Sequence, residues 1–137
     1  MRALLVFGFG FFSFAVAEWG AGDVHRLLLR RTVQKPGVYM EKLESALDTA
    51  GIVVVAEYHK VMGDSYVPTI TSANDFAWHM RFSKHYYNRA LDFRLVDVPP
   101  SKRAKLVSDI QKALGDRFLV LWEKNGKFSE HLHVELR

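Results

Sequence analysis

The sequence predicts an α+β fold: one small domain in which two or three helices pack on a mostly antiparallel sheet. Segments of strand composition occur in groups, without the alternation of strand and helix that is typical of parallel sheets. Asn125-Gly126 also separates two apolar segments, and this pair is a strong hairpin turn signal. A length of 137 residues, with 49% of them hydrophobic, suits one domain with its own core.

The first seventeen residues form a separate unit. Arg2 precedes an apolar stretch at positions 3–16, and Ala15-Val16-Ala17 fits the small-x-small rule for signal peptidase, with Glu18 next. The stretch is shorter than the ~20 residues that a transmembrane helix prefers. We therefore interpret residues 1–17 as a signal peptide, with an uncleaved membrane anchor or a buried helix as alternatives, and residues 18–137 as the functional domain. This division predicts a periplasmic or secreted protein.

The first half of the domain contains helical and strand patterns. A basic apolar stretch at 25–31 indicates a short helix, and helical spacing at 38–50 predicts a second helix that Gly51 ends. The β-branched residues 52–56 predict a strand. A second strand is predicted at 66–71, after a turn at residues 62–64, and residues 72–82 are predicted to be a loop.

The second half carries clearer boundary signals. A strand at 91–96 is ended by Pro99-Pro100, and Ser101 is expected to cap a helix that runs to Leu114 and stops at Gly115. Strands at 118–122 and 131–136 flank the Asn125-Gly126 turn. These elements complete the predicted α+β domain.

Composition excludes some kinds of function. The net charge of +4 is mild, and the chain has no arginine-rich run, so we expect no nucleic-acid binding. It has no cysteine, which excludes disulfides and thiolate ligands. Any zinc site must therefore be built from His, Asp and Glu.

Three residues have the types and spacing of a catalytic metal site. His85 and Asp92 are seven positions apart, and His133 comes from a distant segment. Catalytic zinc typically has three protein ligands and an open fourth position. These residues could supply two nitrogens and one oxygen. Glu130 precedes His133 by three positions and offers a carboxylate that could move protons.

The last predicted strand orders these side chains. Because side chains alternate along a strand, His131, His133 and Glu135 share one face, and Glu130 must reach the site from the preceding loop. His131 is a candidate to stabilise an oxyanion. Taken singly, each of these residues could equally be an ordinary polar surface residue.

The pattern resembles the signature of the zinc D-alanyl-D-alanine metallopeptidase superfamily, S-x-H-x-x-G-x-A-x-D followed by a carboxylate-x-x-H. The superfamily includes D-Ala-D-Ala carboxypeptidases, vancomycin-resistance dipeptidases and phage L-alanyl-D-glutamate endolysins, and it shares its fold with hedgehog signalling domains. The matching positions in this chain are Ser83, His85, Asn88, Ala90, Asp92, Glu130 and His133. Asn88 replaces the family glycine, and a left-handed turn accepts either residue. The resemblance covers residues 38–137.

The resemblance implies a hedgehog/DD-peptidase-like fold and a role for each matching residue. His85, Asp92 and His133 would bind Zn²⁺, Glu130 would be the general base, and Ser83 would help to hold the substrate. Glu123 is the alternative carboxylate for the base. The implied partner is peptidoglycan and the implied activity is hydrolysis of an amide bond in its stem peptides.

One departure from the family concerns specificity. Many members have an arginine after T-S-G that binds a substrate carboxylate, whereas Ala73-Asn74-Asp75 follows Thr71-Ser72 here. Arg81 and Arg94 are the candidates to replace it. A carboxypeptidase needs such a contact more than an endopeptidase does, so L-Ala-D-Glu endopeptidase action is favoured over D-Ala-D-Ala carboxypeptidase action.

Other expectations complete this interpretation. The alternative function is a non-catalytic zinc-containing binding domain of the same fold. We expect a monomer that contacts a membrane only through an uncleaved N-terminal segment. The chain continues for only four residues after His133, so we expect no C-terminal wall-binding module.

Overall fold

The computed structural model describes residues 20–75 and 79–137, and it confirms the α+β class. The predicted signal peptide lies outside the described residues. In chain order the elements are α1 (Ala21–Arg31), β1 (Val33–Gln34), α2 (Ser45–Met62), β2 (Thr69–Ser72), the 3₁₀ helix η1 (Lys84–Tyr87), β3 (Ala90–Arg94), α3 (Pro100–Leu114), β4 (Phe118–Glu123) and β5 (His131–Leu136).

The five strands form one sheet in the order β1-β2-β3-β5-β4. Strands β1 and β2 are parallel, and every other neighbouring pair is antiparallel. Strand β5 therefore lies between β3 and β4. The register places Asp92 opposite both Ser72 of β2 and His133 of β5.

The prediction of a strand at 52–56 is wrong, and so is the prediction that a helix spans 38–50 and stops at Gly51. Helix α2 begins at Ser45 and continues through Gly51 to Met62. Gly51 serves close packing instead, since a Cβ there would lie 2.7 Å from Leu28 Cδ1 of α1. Buried Val54 and Val55 join the core from the helix, so tertiary packing outweighs their β propensity.

Other boundaries follow the local signals. Helix α3 starts with Pro100 at its first position and ends at Gly115, so the expected Ser101 cap is replaced by a proline start. The β4–β5 hairpin forms as predicted, with Gly126 at φ 74°. The two-residue strand β1 was not predicted, because it is too short to show a period.

The hydrophobic core lies on the helix side of the sheet. Leu91 and Phe93 of β3, with Leu132 and Val134 of β5, are fully buried in it. Because side chains alternate, Asp92 and His133 point to the opposite face. Among the residues that the structure describes, no helix is both long and apolar enough to cross a membrane.

Candidate metal centre

Three buried side chains from three elements form a group that could hold a metal ion. His85 belongs to η1, Asp92 to β3 and His133 to β5. Each offers one ligand atom, and these atoms all lie within 4.8 Å of one another. Their exposed fractions are 2%, 6% and 7%, respectively. The spacing-based expectation that these residues come together is therefore met.

A short turn brings His85 to the sheet. The Ser83 hydroxyl accepts a hydrogen bond from the His85 amide at 3.3 Å and caps the N-terminus of η1. Asn88 then adopts the predicted left-handed conformation, with φ 59° and ψ 27°, and the chain enters β3. Ser83, proposed from the resemblance to hold substrate, thus has a visible role in placing His85.

The orientation of His85 suits a metal ligand. Its Nδ1 lies 2.7 Å from the Ala73 carbonyl, which can only accept, so Nδ1 carries the proton. Its Nε2 then faces Asp92 Oδ1 at 3.2 Å. A proton or a cation must lie between these two acceptors. Fixing the outer nitrogen on a backbone carbonyl is the usual way in which proteins orient a metal-binding histidine.

His133 lies between two carboxylates. Its Nδ1 is 2.7 Å from Asp92 Oδ1, and its Nε2 is 3.0 Å from Glu135 Oε2. Burial lowers the pKa of His133, but the hydrogen bonds with Asp92 and Glu135 outweigh it and raise this pKa to about 9. A cation must therefore displace a proton from His133 in order to bind here.

Asp92 is held as a carboxylate. Burial raises the pKa of Asp92, yet the hydrogen bonds from His133 and His85 outweigh burial and hold this pKa well below its usual value. Asp92 thus presents a charged oxygen to the centre of the group. Anionic oxygen and imidazole nitrogen are ligands that zinc accepts.

A second pair extends from the metal group along the same face of the sheet. His131 Nε2 lies 2.9 Å from Glu123 Oε2 and 3.6 Å from Asp92 Oδ2. Glu123 is opposite His131 in the β4–β5 ladder, and 43% of its side chain is exposed. A solvent-accessible carboxylate is therefore connected to the metal group through one imidazole.

Glu130, by contrast, is occupied by structural partners. It is buried, its Oε2 lies 2.9 Å from Arg103 Nη1, and Oε1 accepts a hydrogen bond from the Trp122 indole. The Gly126 amide also donates to Oε2 at 3.3 Å. Both oxygens thus have partners, and the ion pair ties the hairpin to α3.

A pocket of about 330 Å³ opens beside the metal group. Ser72, Asp92, Arg94, Glu130 and His131 are among the residues that line it. Arg94 also forms a 3.0 Å ion pair with Asp97. Arg81, the other predicted substrate ligand, is exposed with its guanidinium carbon 5.2 Å above the ring of Phe82, and it is not among the described residues that line the pocket.

Two neighbours of the metal group were missed in the sequence. His79 stacks on His85 with ring centroids 4.1 Å apart, and its Nε2 lies 3.1 Å from Ser72 Oγ. Nothing in the predicted loop distinguishes His79. Glu135, the outer partner of His133, was recognised only as sharing its face, although the His-x-Glu alternation is a usable signal for such a partner.

Comparisons with protein-family models, curated proteins and solved structures find no match for this chain.

Proposed function

We propose that this chain is a zinc-dependent peptidase that hydrolyses an amide bond in the stem peptides of bacterial peptidoglycan. The observation that carries the proposal is the convergence of His85, Asp92 and His133 into one buried group. These residues occupy the ligand positions of the motif that the sequence resembles. The pocket beside them, which Asp92 helps to line, is where we place the substrate.

Zinc, when bound, supplies a Lewis acid that polarises the scissile carbonyl and lowers the pKa of water. The protein's own contribution is orientation. The Ala73 carbonyl fixes the tautomer of His85, and Glu135 holds the outer nitrogen of His133. Such outer contacts typically change metal affinity or activity by about 10- to 100-fold.

Glu123 is the carboxylate with fewer structural partners, while Glu130 is the one among the described residues that line the pocket. Glu123 lies on the face of the metal group, is partly exposed and contacts His131. In this proposal it takes a proton from the attacking water and transfers it to the leaving amine. Glu130, predicted for this role, would first have to give up its ion pair with Arg103. The geometry therefore favours the alternative carboxylate that the sequence left open.

His131 has a supporting role in the same scheme. Its Nδ1 lies 2.9 Å from the Ser129 carbonyl, and its Nε2 lies between Glu123 and Asp92. To stabilise negative charge on the attacked carbonyl oxygen, the Nε2–H of His131 would have to turn from Glu123 towards that oxygen. The oxyanion role expected for His131 stays a prediction.

The favoured bond is L-Ala-D-Glu. A carboxypeptidase requires a fixed cation for the terminal carboxylate of its substrate. The arginine that many members of the resembled superfamily have after T-S-G is absent, since Ala73-Asn74-Asp75 follows Thr71-Ser72 here, and Arg81 lies apart from the pocket lining. An endopeptidase cuts within the stem and does not have to recognise the end of a peptide chain.

Purified protein, loaded with zinc, tests this proposal by mass spectrometry of muropeptides before and after incubation. We expect about one zinc per chain by elemental analysis and stems cut between L-Ala and D-Glu. His85→Ala is the control that should lose both. Release of free D-alanine from pentapeptide stems would reverse the choice of bond. Bound zinc without cleavage of any stem would favour the non-catalytic binding domain.

The proposed export to the periplasm or medium has its own test. N-terminal sequencing of exported protein should find a chain that begins at Glu18. Recovery of the full-length chain in the membrane would favour an anchor.

A further inference from the structure

The pocket beside the metal group has a cationic wall. Lys35 follows β1, Arg94 ends β3 and Lys124 follows β4, and all three line the same pocket. Because β1 and β4 are the two edges of the sheet, these residues bring positive charge to the pocket from both sides and from the centre.

The acidic residues of the lining do not neutralise this wall. Glu130 is paired with Arg103, and Asp92 is engaged by His85 and His133. Arg94 shares its charge with Asp97, which is not among the described residues that line the pocket. Within residues 20–75 and 79–137, Lys35 and Lys124 form no ion pair. The two lysines therefore offer positive charge to a ligand.

The backbone at Lys124 indicates that its position is constrained. Lys124 has φ 53°, a left-handed conformation that residues other than Gly and Asn adopt at a cost. The Lys127 amide donates to the Lys124 carbonyl at 2.9 Å and closes the turn. The turn thereby holds the start of the Lys124 side chain at the edge of the pocket.

We propose that Lys35, Arg94 and Lys124 form a carboxylate-binding subsite that takes the free α-carboxylate of D-glutamate next to the cleaved bond. This inference rests on the proposed function. D-Glutamate is linked onward through its γ-carboxyl group in stem peptides, so its α-carboxylate is available for recognition. A pocket of about 330 Å³ accommodates a ligand of dipeptide size.

The test is calorimetric titration of the zinc-loaded protein with γ-D-glutamyl-L-lysine and with the same dipeptide amidated at the α-carboxylate of D-Glu. Neither contains the L-Ala-D-Glu bond, and they differ in one charge. We expect the acid to bind about fivefold more tightly than the amide, since a partly exposed ion pair contributes about that much. The preference should weaken as salt concentration rises.

Three variants test which lysines cause the preference for the acid over the amide. Lys35→Gln and Lys124→Gln should each bring the acid-to-amide affinity ratio towards one. Lys127→Gln is the matched control, because Lys127 is an exposed lysine of the same turn that is not among the described lining residues. It should keep the wild-type ratio.

The outcomes separate this inference from the proposed function. Equal binding of acid and amide, no measurable binding of the acid, or an equal loss in Lys127→Gln would overturn the subsite even if wild-type protein cleaves stem peptides. Conversely, a clear acid preference in a zinc-loaded protein that cleaves no stem would uphold the subsite and overturn the peptidase activity.

Discussion

Asp92 is the residue on which the geometry of the metal group depends. One of its oxygens is shared by His85 at 3.2 Å and His133 at 2.7 Å, and the other faces His131 at 3.6 Å. The convergence of His85, Asp92 and His133 could be predicted because their types and order match a known motif. The partners that orient them could not, since the Ala73 carbonyl and the ring of His79 reach His85 only through the folded loop.

The two glutamates near the pocket should respond differently to loss of charge. We expect Glu123→Gln to lower kcat for stem-peptide cleavage by about 10²- to 10⁴-fold, because the amide cannot accept a proton. Its zinc content and thermal stability should stay near wild type, since Glu123 is partly exposed.

Glu130→Gln is the comparison. It leaves the partly buried Arg103 without its carboxylate, so we expect the free energy of unfolding to fall by ~1–3 kcal/mol while folded protein keeps most of its turnover. Denaturant titration and kcat, measured on both variants, check this. A stable but inactive Glu130→Gln beside an active Glu123→Gln would restore Glu130 as the base.

A second pair, between partly buried His25 of α1 and buried Asp48 of α2, predicts a pH dependence of stability. His25 Nδ1 lies 2.7 Å from Asp48 Oδ1, and only 4% of the Asp48 side chain is exposed. Burial raises the pKa of Asp48, although the hydrogen bond with His25 opposes this. Just above the usual Asp pKa, the native state therefore holds more protons than the unfolded state. The contribution of Asp48 to stability falls as pH rises through this window.

His25→Leu should strengthen this dependence. It leaves the buried carboxylate without a partner, so we expect a loss of ~1–3 kcal/mol at pH 7 and a smaller loss at pH 4, where Asp48 can take up a proton. Urea unfolding at the two pH values measures the difference, and His25→Leu/Asp48→Asn is the control that should remove it. Equal losses at both pH values would contradict this interpretation.

At the scale of elements, prediction succeeded where the signal is local. The Asn125-Gly126 turn and the Gly115 stop identified the β4–β5 hairpin and the end of α3. Helix α2 was misassigned because its β-branched run favours a strand locally, while its conformation is decided by contacts with the rest of the core. Those contacts lie between distant segments, and no short window of sequence contains them.

The crossing of α1 and α2 at Gly51 limits the size of the side chain that position 51 can hold. A Cβ at position 51 would meet Leu28 Cδ1 at 2.7 Å, and Leu28 is fully buried. We expect Gly51→Val to destabilise the fold by ~1–3 kcal/mol through overpacking. Gly51→Ala should cost less, because the higher helix propensity of alanine returns up to ~1 kcal/mol.

Chemical denaturation measures these changes against a matched control. Ala56→Val introduces the same side chain at an exposed position of α2 and should cost only a few tenths of a kcal/mol. The Gly51→Val/Leu28→Ala double variant should lose less free energy of unfolding than the sum of the two single variants. The smaller side chain at position 28 leaves room for the larger one at position 51. A Gly51→Val variant as mild as Ala56→Val would show that the helices separate easily.

At the scale of the molecule, the metal group joins segments that are far apart in sequence. A cation held by His85, Asp92 and His133 would link η1 to β3 and β5. Because such a cation binds the folded state, zinc at about 100 times its Kd should add ~2.7 kcal/mol of stability, or about 10 °C in Tm.

Differential scanning calorimetry with zinc, and then with excess chelator, tests this expectation. The rise in Tm should reverse with the chelator and should be absent in His133→Ala. An unchanged Tm in wild-type protein at saturating zinc would contradict metal binding by this group.

The position of β5 between β3 and β4 determines when the sheet and the metal group can form during synthesis of the chain. The ribosome produces residues 131–136 after every other strand, yet these residues fill the gap between two strands that are already made. Until they emerge, β4 lacks the strand with which it pairs, and the nascent chain lacks His133. The sheet and the metal group are therefore completed together, in one late step, and a chain stalled before residue 131 would have neither.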